Sequence, residues 1–163
     1  MKRLSLVLPL LGFSLLLAGC GGSDKDQVAT GLSKAQYVSK AEVICTRLNK
    51  EIDGLTAPTS PAALESFLVE ALRIAESGTA EIKALDPPEA DKAAIRSKVL
   101  DPLEGQVAEG KQFLEDVKAA VAKNDQAALG KLISDPPTGP EADLAWMRSY
   151  GFKECVESAK TDG

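Results

Sequence analysis

Three cysteines, Cys20, Cys45 and Cys155, are the side chains best suited to covalent chemistry in this sequence, and no histidine accompanies them. Without imidazole the chain lacks the commonest general base and the commonest transition-metal ligand. Ser-His-Asp and Cys-His catalysis and Glu-x-x-His metal sites are thereby excluded. Gly105-Gln-Val-Ala-Glu-Gly-Lys-Gln112 approaches the phosphate-binding pattern G-x-x-x-x-G-K-[ST], but Gln112 stands where the magnesium-binding hydroxyl belongs and no strand precedes it. An apolar helical period runs through the segment instead, and its glycines read as points of close packing by a neighbouring helix. A Ser-Lys or paired-carboxylate hydrolase stays formally open. The acid pairs Glu115-Asp116 and Asp24/Asp26 read as a solvated face and as linker. No catalytic residue, metal ligand or cofactor site is assigned.

Each cysteine has to be placed by its surroundings. Lys2 and Arg3 open the chain, Leu4 to Ala18 follow as an apolar run broken by Pro9 and Gly12, and small residues lead to Cys20. That is the layout of a secretory signal. A membrane-spanning helix needs about 20 apolar residues, and the polar run beginning at Gly21 arrives too early for one. Leu17-Ala18-Gly19-Cys20 resembles the lipobox of bacterial lipoproteins at all four positions. The resemblance implies a diacylglyceryl thioether on Cys20, cleavage just before it, and removal of residues 1–19. Two or more acyl chains anchor a protein stably where one does not. Residues 20–32 then form the lipidated cysteine and a Gly-rich polar tether, a flexible coil of about 12 residues holding the domain roughly 20 Å from its anchor.

Removing the leader takes Lys2 and Arg3 with it and leaves 17 basic against 24 acidic side chains, a net charge of about −7. Such a surface repels nucleic acid and anionic headgroups, so no nucleic-acid partner is expected. Membrane residence has to come from the lipid. With Cys20 acylated, Cys45 and Cys155 remain as an even pair in an exported chain, which argues for a disulfide. It would close a loop of 110 residues, worth up to roughly 4–5 kcal/mol in the loop-entropy model. Two separately buried thiols are the alternative.

The remaining residues, 33–160, read as one helical domain. Ser33-Lys-Ala-Gln36 is a capping box, and Tyr37, Ala41, Ile44, Cys45, Leu48 and Ile52 recur on one face as far as Gly54. Ser60-Pro61 restarts the chain as N-cap and first helical residue, and Asp86-Pro87-Pro88 stops it. Ala90 to Ala122 forms a third stretch that keeps its apolar phase through Pro102, so a kinked helix is favoured over a broken one. A short segment runs from Asn124 to Ile133, and a last helix from Pro140 to Tyr150 ends at Gly151. No strand pattern occurs. The expected fold is all-α: an up-and-down bundle of three to four antiparallel helices with one disulfide. Glu89–Ser97 and Glu141–Ser149 share six of nine residues, which either a duplicated hairpin or two similar helix starts would produce.

Trp146, Tyr150 and Phe152 cluster near the C-terminal cysteine, where they form either a ligand or partner patch or core filling beside the disulfide. Few other aromatics occur, so Ala, Leu, Val and Ile must fill a slim interior. Tyr37…Ala41-Glu-Val-Ile-Cys45, Leu85-Asp-Pro-Pro88 and Tyr150-Gly-Phe-Lys-Glu-Cys155 together resemble uncharacterised small helical lipoproteins and secreted proteins of actinobacteria. That resemblance implies a disulfide-linked helical domain on the outer face of the membrane, and it supplies no activity. The functional expectation is a lipid-anchored, non-catalytic interaction or structural module on the extracytoplasmic side of the cell membrane. Its partner would be an envelope protein or a cell-wall component. The alternative is a binding module holding a small apolar or cationic ligand between helices.

Overall fold

The structure is a computed structural model that describes residues 31–158. The expected leader (1–19), the expected lipidation site Cys20, the expected tether as far as residue 30, and residues 159–163 lie outside the described residues. What is described is helical, joined by turns, with no strand among the described residues.

Helix α1, Lys34–Asp53, begins at the expected capping box. The Gln36 amide donates to Ser33 Oγ at 3.3 Å, and the Ser33 amide donates to Gln36 Oε1 at 2.9 Å. Its buried residues Tyr37, Ala41 and Cys45 fall four apart, one above another on a single face. Helix α2, Pro61–Ala84, starts from Ser60, whose hydroxyl accepts the Ala63 amide at 3.2 Å, and buries Ile74, Gly78 and Ile82.

The third stretch is a continuous helical path in three pieces after a 3-10 turn at Glu89–Asp91: α3, Lys92–Ile95; a π turn, Arg96–Leu100; and α4, Asp101–Ala122. Pro102 accounts for the π turn. In a regular helix its ring would clash with the carbonyl four residues back, and its nitrogen has no hydrogen to donate. The wider turn, in which the Asp101 amide reaches the Arg96 carbonyl, passes the proline into α4 with the helical path unbroken.

One expected boundary moves and one helix is added. The last expected helix, α6, spans Leu144–Tyr150 rather than starting at Pro140. Asp143 is the reason: its Oδ1 accepts the Trp146 amide at 2.9 Å and opens the helix there, while Pro140 is occupied against Gly105. A further helix, α7, Glu154–Ser158, carries Cys155. Helix α5, Gln126–Ser134, occupies the short segment expected over 124–133 and is capped by Asp125, whose Oδ1 accepts the Ala128 amide at 2.9 Å.

Helix α2 packs on both α1 and α4, α5 covers the C-terminal part of α4, and α7 lies on α1. The buried interior separates into two clusters. One gathers Tyr37, Ala41, Ile95, Val99, Met147, Tyr150, Phe152 and Val156 at the disulfide end. The other joins Val117, Ala120 and Leu129 between α4 and α5, with Leu68 and Phe113 against it. Ion pairs on the surface hold the helices in register, among them Arg47–Glu81 at 2.6 Å and Lys83–Glu104 at 2.7 Å. Being exposed, they add little stability.

Candidate functional site

Between the two clusters lies an elongated apolar cavity of about 480 Å³. Helix α2 contributes its wall from Phe67 to Ile82, α1 from Ala41 to Ile52, and the π turn with α4 from Val99 to Phe113. At 1.5 Å per residue these stretches run about 20 Å along the helices. A sphere of the same volume would be only about 10 Å across, so the space is a slot lying along the helices. Met147, Phe152 and the paired sulfurs of Cys45 and Cys155 border it too.

Small residues create this space. Ala71, Ala75 and Gly78 recur along the lining face of α2, and Gly110 lies on α4. Gly78 lets α1 and α2 approach, because a Cβ there would collide with Leu48 Cδ1. A Cβ on Gly110 would sit 3.3 Å from Leu72 Cδ1. The helices therefore meet closely at a few points, and no bulky side chain fills the intervals.

The lining is nearly all hydrocarbon. Among the described residues no Asp, Glu, Lys or Arg contributes to it, and the polar side chains there are Asn49, Thr79 and Gln106. As a sealed void the slot would cost about 12 kcal/mol at roughly 24 cal/mol per Å³, comparable to the entire stability of an ordinary domain. Leu48, Leu72, Leu103 and Val107 are only half-buried, so the slot communicates with the surface. Water entering it needs two to four polar partners per molecule and would find few; an apolar molecule would regain the missing dispersion contacts.

The expected disulfide is present: Cys45 and Cys155 are bonded, with Cα atoms 5.1 Å apart. The aromatic cluster also forms. Trp146 stacks on Tyr150 with ring centres 4.7 Å apart, Tyr150 stacks on Phe152 at 5.5 Å, and Phe152 meets Tyr37 edge-on at 6.2 Å. Tyr150 and Phe152 are buried and Trp146 half-buried. Of the three, Phe152 borders the slot. The Tyr150 hydroxyl donates to Asp91 Oδ2 at 2.7 Å, and burial, then that carboxylate, push its ionisation up. Lys98 beside Asp143, and then the Trp146 amide, hold the Asp143 carboxyl below its usual range. The two similar Glu-Ala-Asp segments thus do different work: Asp91 takes a tyrosine hydroxyl, and Asp143 caps α6.

Gly105-Gln112 lies inside α4, so its amides are spent on the helix and no phosphate-cradling loop exists. Gly105 instead admits Pro140. A second, smaller hollow between α4 and α5 mixes Asp116, Asp125 and Asp135 with Lys123 and Lys131. Among the described residues no cluster of three or more His, Cys, Asp or Glu is placed to hold a metal ion, and no described helix is long and apolar enough to cross a membrane.

Two features went unseen in the sequence. The slot was signalled only by the small residues of α2, which read equally well as packing positions. The second is Glu42, whose carboxylate accepts the backbone amides of Lys153, Glu154 and Cys155 at 3.0, 2.8 and 3.3 Å. It caps α7 from the far end of the chain, and no local pattern announces it. No protein-family model, curated protein or solved structure matches this chain.

Proposed function

We propose that this chain is a lipid-anchored, non-catalytic binding module on the extracytoplasmic side of the cell membrane, holding an elongated, uncharged apolar molecule in the slot over α2. The observation that carries the binding reading is a slot of about 480 Å³ with no ionisable side chain among the described residues of its wall. Of the two ligand classes weighed from the sequence, a cation would find no carboxylate there, and an isolated charge in an apolar wall is costly. An apolar chain pays no such penalty.

The anchor rests on Leu17-Ala18-Gly19-Cys20, and the Cys45–Cys155 bond suits an oxidising compartment. An up-and-down arrangement of α1, α2 and α4 is supported by the contact order. Leu48 meets Gly78 while Arg73 lies near Glu51, and Leu72 meets Gly110 while Lys83 pairs with Glu104. Tethered at a bilayer, such a module is positioned to take up or present a molecule that partitions into lipid.

Native mass spectrometry of the intact protein extracted from membranes tests the binding reading. A retained mass of lipid character supports it. No retained mass, together with one stoichiometric membrane partner, would favour an interaction module for an envelope protein or cell-wall component. The anchor is tested separately: Cys20→Ser is expected to abolish lipid labelling and move the protein out of the membrane fraction. Unchanged labelling would refute it.

A further inference from the structure

The three polar side chains of the slot, one on each helix, fall within about one turn of one another along its length. Leu48 seats on Gly78, each immediately preceding a polar residue, Asn49 on α1 and Thr79 on α2. Between α2 and α4, Leu72 approaches Gly110 and Lys83 pairs with Glu104, which puts Thr79 within about a turn of Gln106. Apolar wall extends both ways from this girdle. Ile82, Val99 and Phe152 lie toward the disulfide, and Phe67, Leu72 and Phe113 toward α5.

The girdle has hydrogen-bonding capacity to spare. The hydroxyls of Thr46 and Ser97 bond back to the carbonyls of Glu42 and Ala93 in the usual helical manner. Among the described residues the Thr79 hydroxyl and the Asn49 carboxamide make no hydrogen bond. Gln106 donates from Nε2 to the Pro140 carbonyl at 3.1 Å, which leaves its Oε1 as an acceptor. A plain hydrocarbon lying here would displace water from Asn49 and Thr79 without replacing its hydrogen bonds, and an unpaired polar group costs free energy. A carboxylate would meet no cation among the described residues of the wall.

We infer that the ligand carries an uncharged ester or amide carbonyl part-way along its length, with hydrocarbon on both sides, and that Asn49 and Thr79 donate to that carbonyl. The inference deepens the binding function proposed above and rests on it. The occupant's thickness points the same way. An α-helix about 10 Å across, laid along about 20 Å, would occupy about 1,600 Å³, several times the slot, whereas hydrocarbon chains fit.

Three probes of similar length separate the possibilities: octyl octanoate, with its ester in the middle, hexadecane, and hexadecanoate. Each is delivered from cyclodextrin to the intact protein, and binding is read by native mass spectrometry and calorimetry. The comparison is the ester-to-alkane affinity ratio in the parent against the same ratio in Asn49→Leu/Thr79→Val, which cancels differences in delivery. The ratio is expected to fall about tenfold in the variant, with hexadecane binding retained and hexadecanoate weakest in the parent. Thr79→Ser, which keeps a hydroxyl, is expected to preserve the ratio and guards against a general packing defect in the double variant. Equal ratios in parent and variant, with hexadecane bound by both, would overturn the carbonyl girdle and leave the binding function standing. If none of the probes binds the parent, the binding function itself falls, and this inference with it.

Discussion

Replacing Glu42 by alanine removes a cap supplied to α7 from more than a hundred residues away in the sequence. Glu42 Oε1 accepts the amides of Lys153 and Cys155, and Oε2 accepts that of Glu154. Amides at the start of a helix have no intrahelical carbonyl to reach, and a carboxylate there also faces the positive end of the peptide dipoles. Losing a capping side chain to alanine costs about 0.5–2 kcal/mol. Here three amides lose their acceptor together, and the neighbourhood of Cys155 is partly shielded from water, so the expected cost lies in the upper half of that range, about 1–2 kcal/mol. For a domain of this size each kcal/mol moves the melting temperature by about 3–5 °C. Scanning calorimetry of the oxidised protein at neutral pH should therefore show Glu42→Ala melting several degrees below the parent. Glu42→Gln, which retains one acceptor oxygen, should fall between the two. The loss should be local as well as global: amide exchange at Cys155 and Val156 should quicken while α2 and α4 keep their protection. A melting temperature within about a degree of the parent, or a lower one with α7 exchange unchanged, would show that this carboxylate does not hold the helix.

Other consequences are equally open to measurement. Gly78→Val drives a side chain into Leu48 and should destabilise the fold by about 1–3 kcal/mol in urea titrations. Gly130→Ala, with nothing within 4 Å of the new Cβ, should instead stabilise α5 by up to about 1 kcal/mol; the same sign for both would contradict the packing described. Burial raises the Tyr37 hydroxyl from 10.0 to about 12, so the unfolded chain ionises first. Its contribution is intact below pH 10 and is lost as pH rises toward about 12, visible as tyrosinate absorbance appearing together with loss of helical circular dichroism. Because the Tyr37 hydroxyl is buried with no partner among the described residues, Tyr37→Phe should delay that alkaline transition and cost no stability at neutral pH; a marked loss there would reveal a missed hydrogen bond. Cys45→Ser/Cys155→Ser should cost up to about 4–5 kcal/mol of unfolding free energy, and a change below about 1 kcal/mol would mean that the cross-link adds little to a loop already held by Glu42.

Much of the helical layout is legible in local chemistry. Ser33 with Gln36, Ser60 with Pro61, and Asp125 announce helix starts because a cap acts on amides two or three residues away. Gly151, at φ +120°, ends α6 in a conformation glycine tolerates. Pro102 was visible as a disturbance, but its resolution into a π turn was not, because that depends on how far the backbone can widen while keeping Val99 and Pro102 buried. Asp143 looked like a residue within a helix that opened at Pro140. Contact between Pro140 and Gly105 of α4, distant in sequence, holds the preceding residues out of that helix.

Taken along the chain alone, residue order establishes helices, their caps, an acidic balance, a histidine-free repertoire and a pair of cysteines suited to each other, because each follows from composition or from interactions within one or two turns. The slot, its polar girdle of Asn49, Thr79 and Gln106, and the capping of α7 by Glu42 emerge only when helices distant in sequence are laid side by side. A volume left unfilled is a property of facing surfaces: Ala71, Ala75 and Gly78 make a tight seam or an open channel according to what stands opposite them, and no one-dimensional period records that distance.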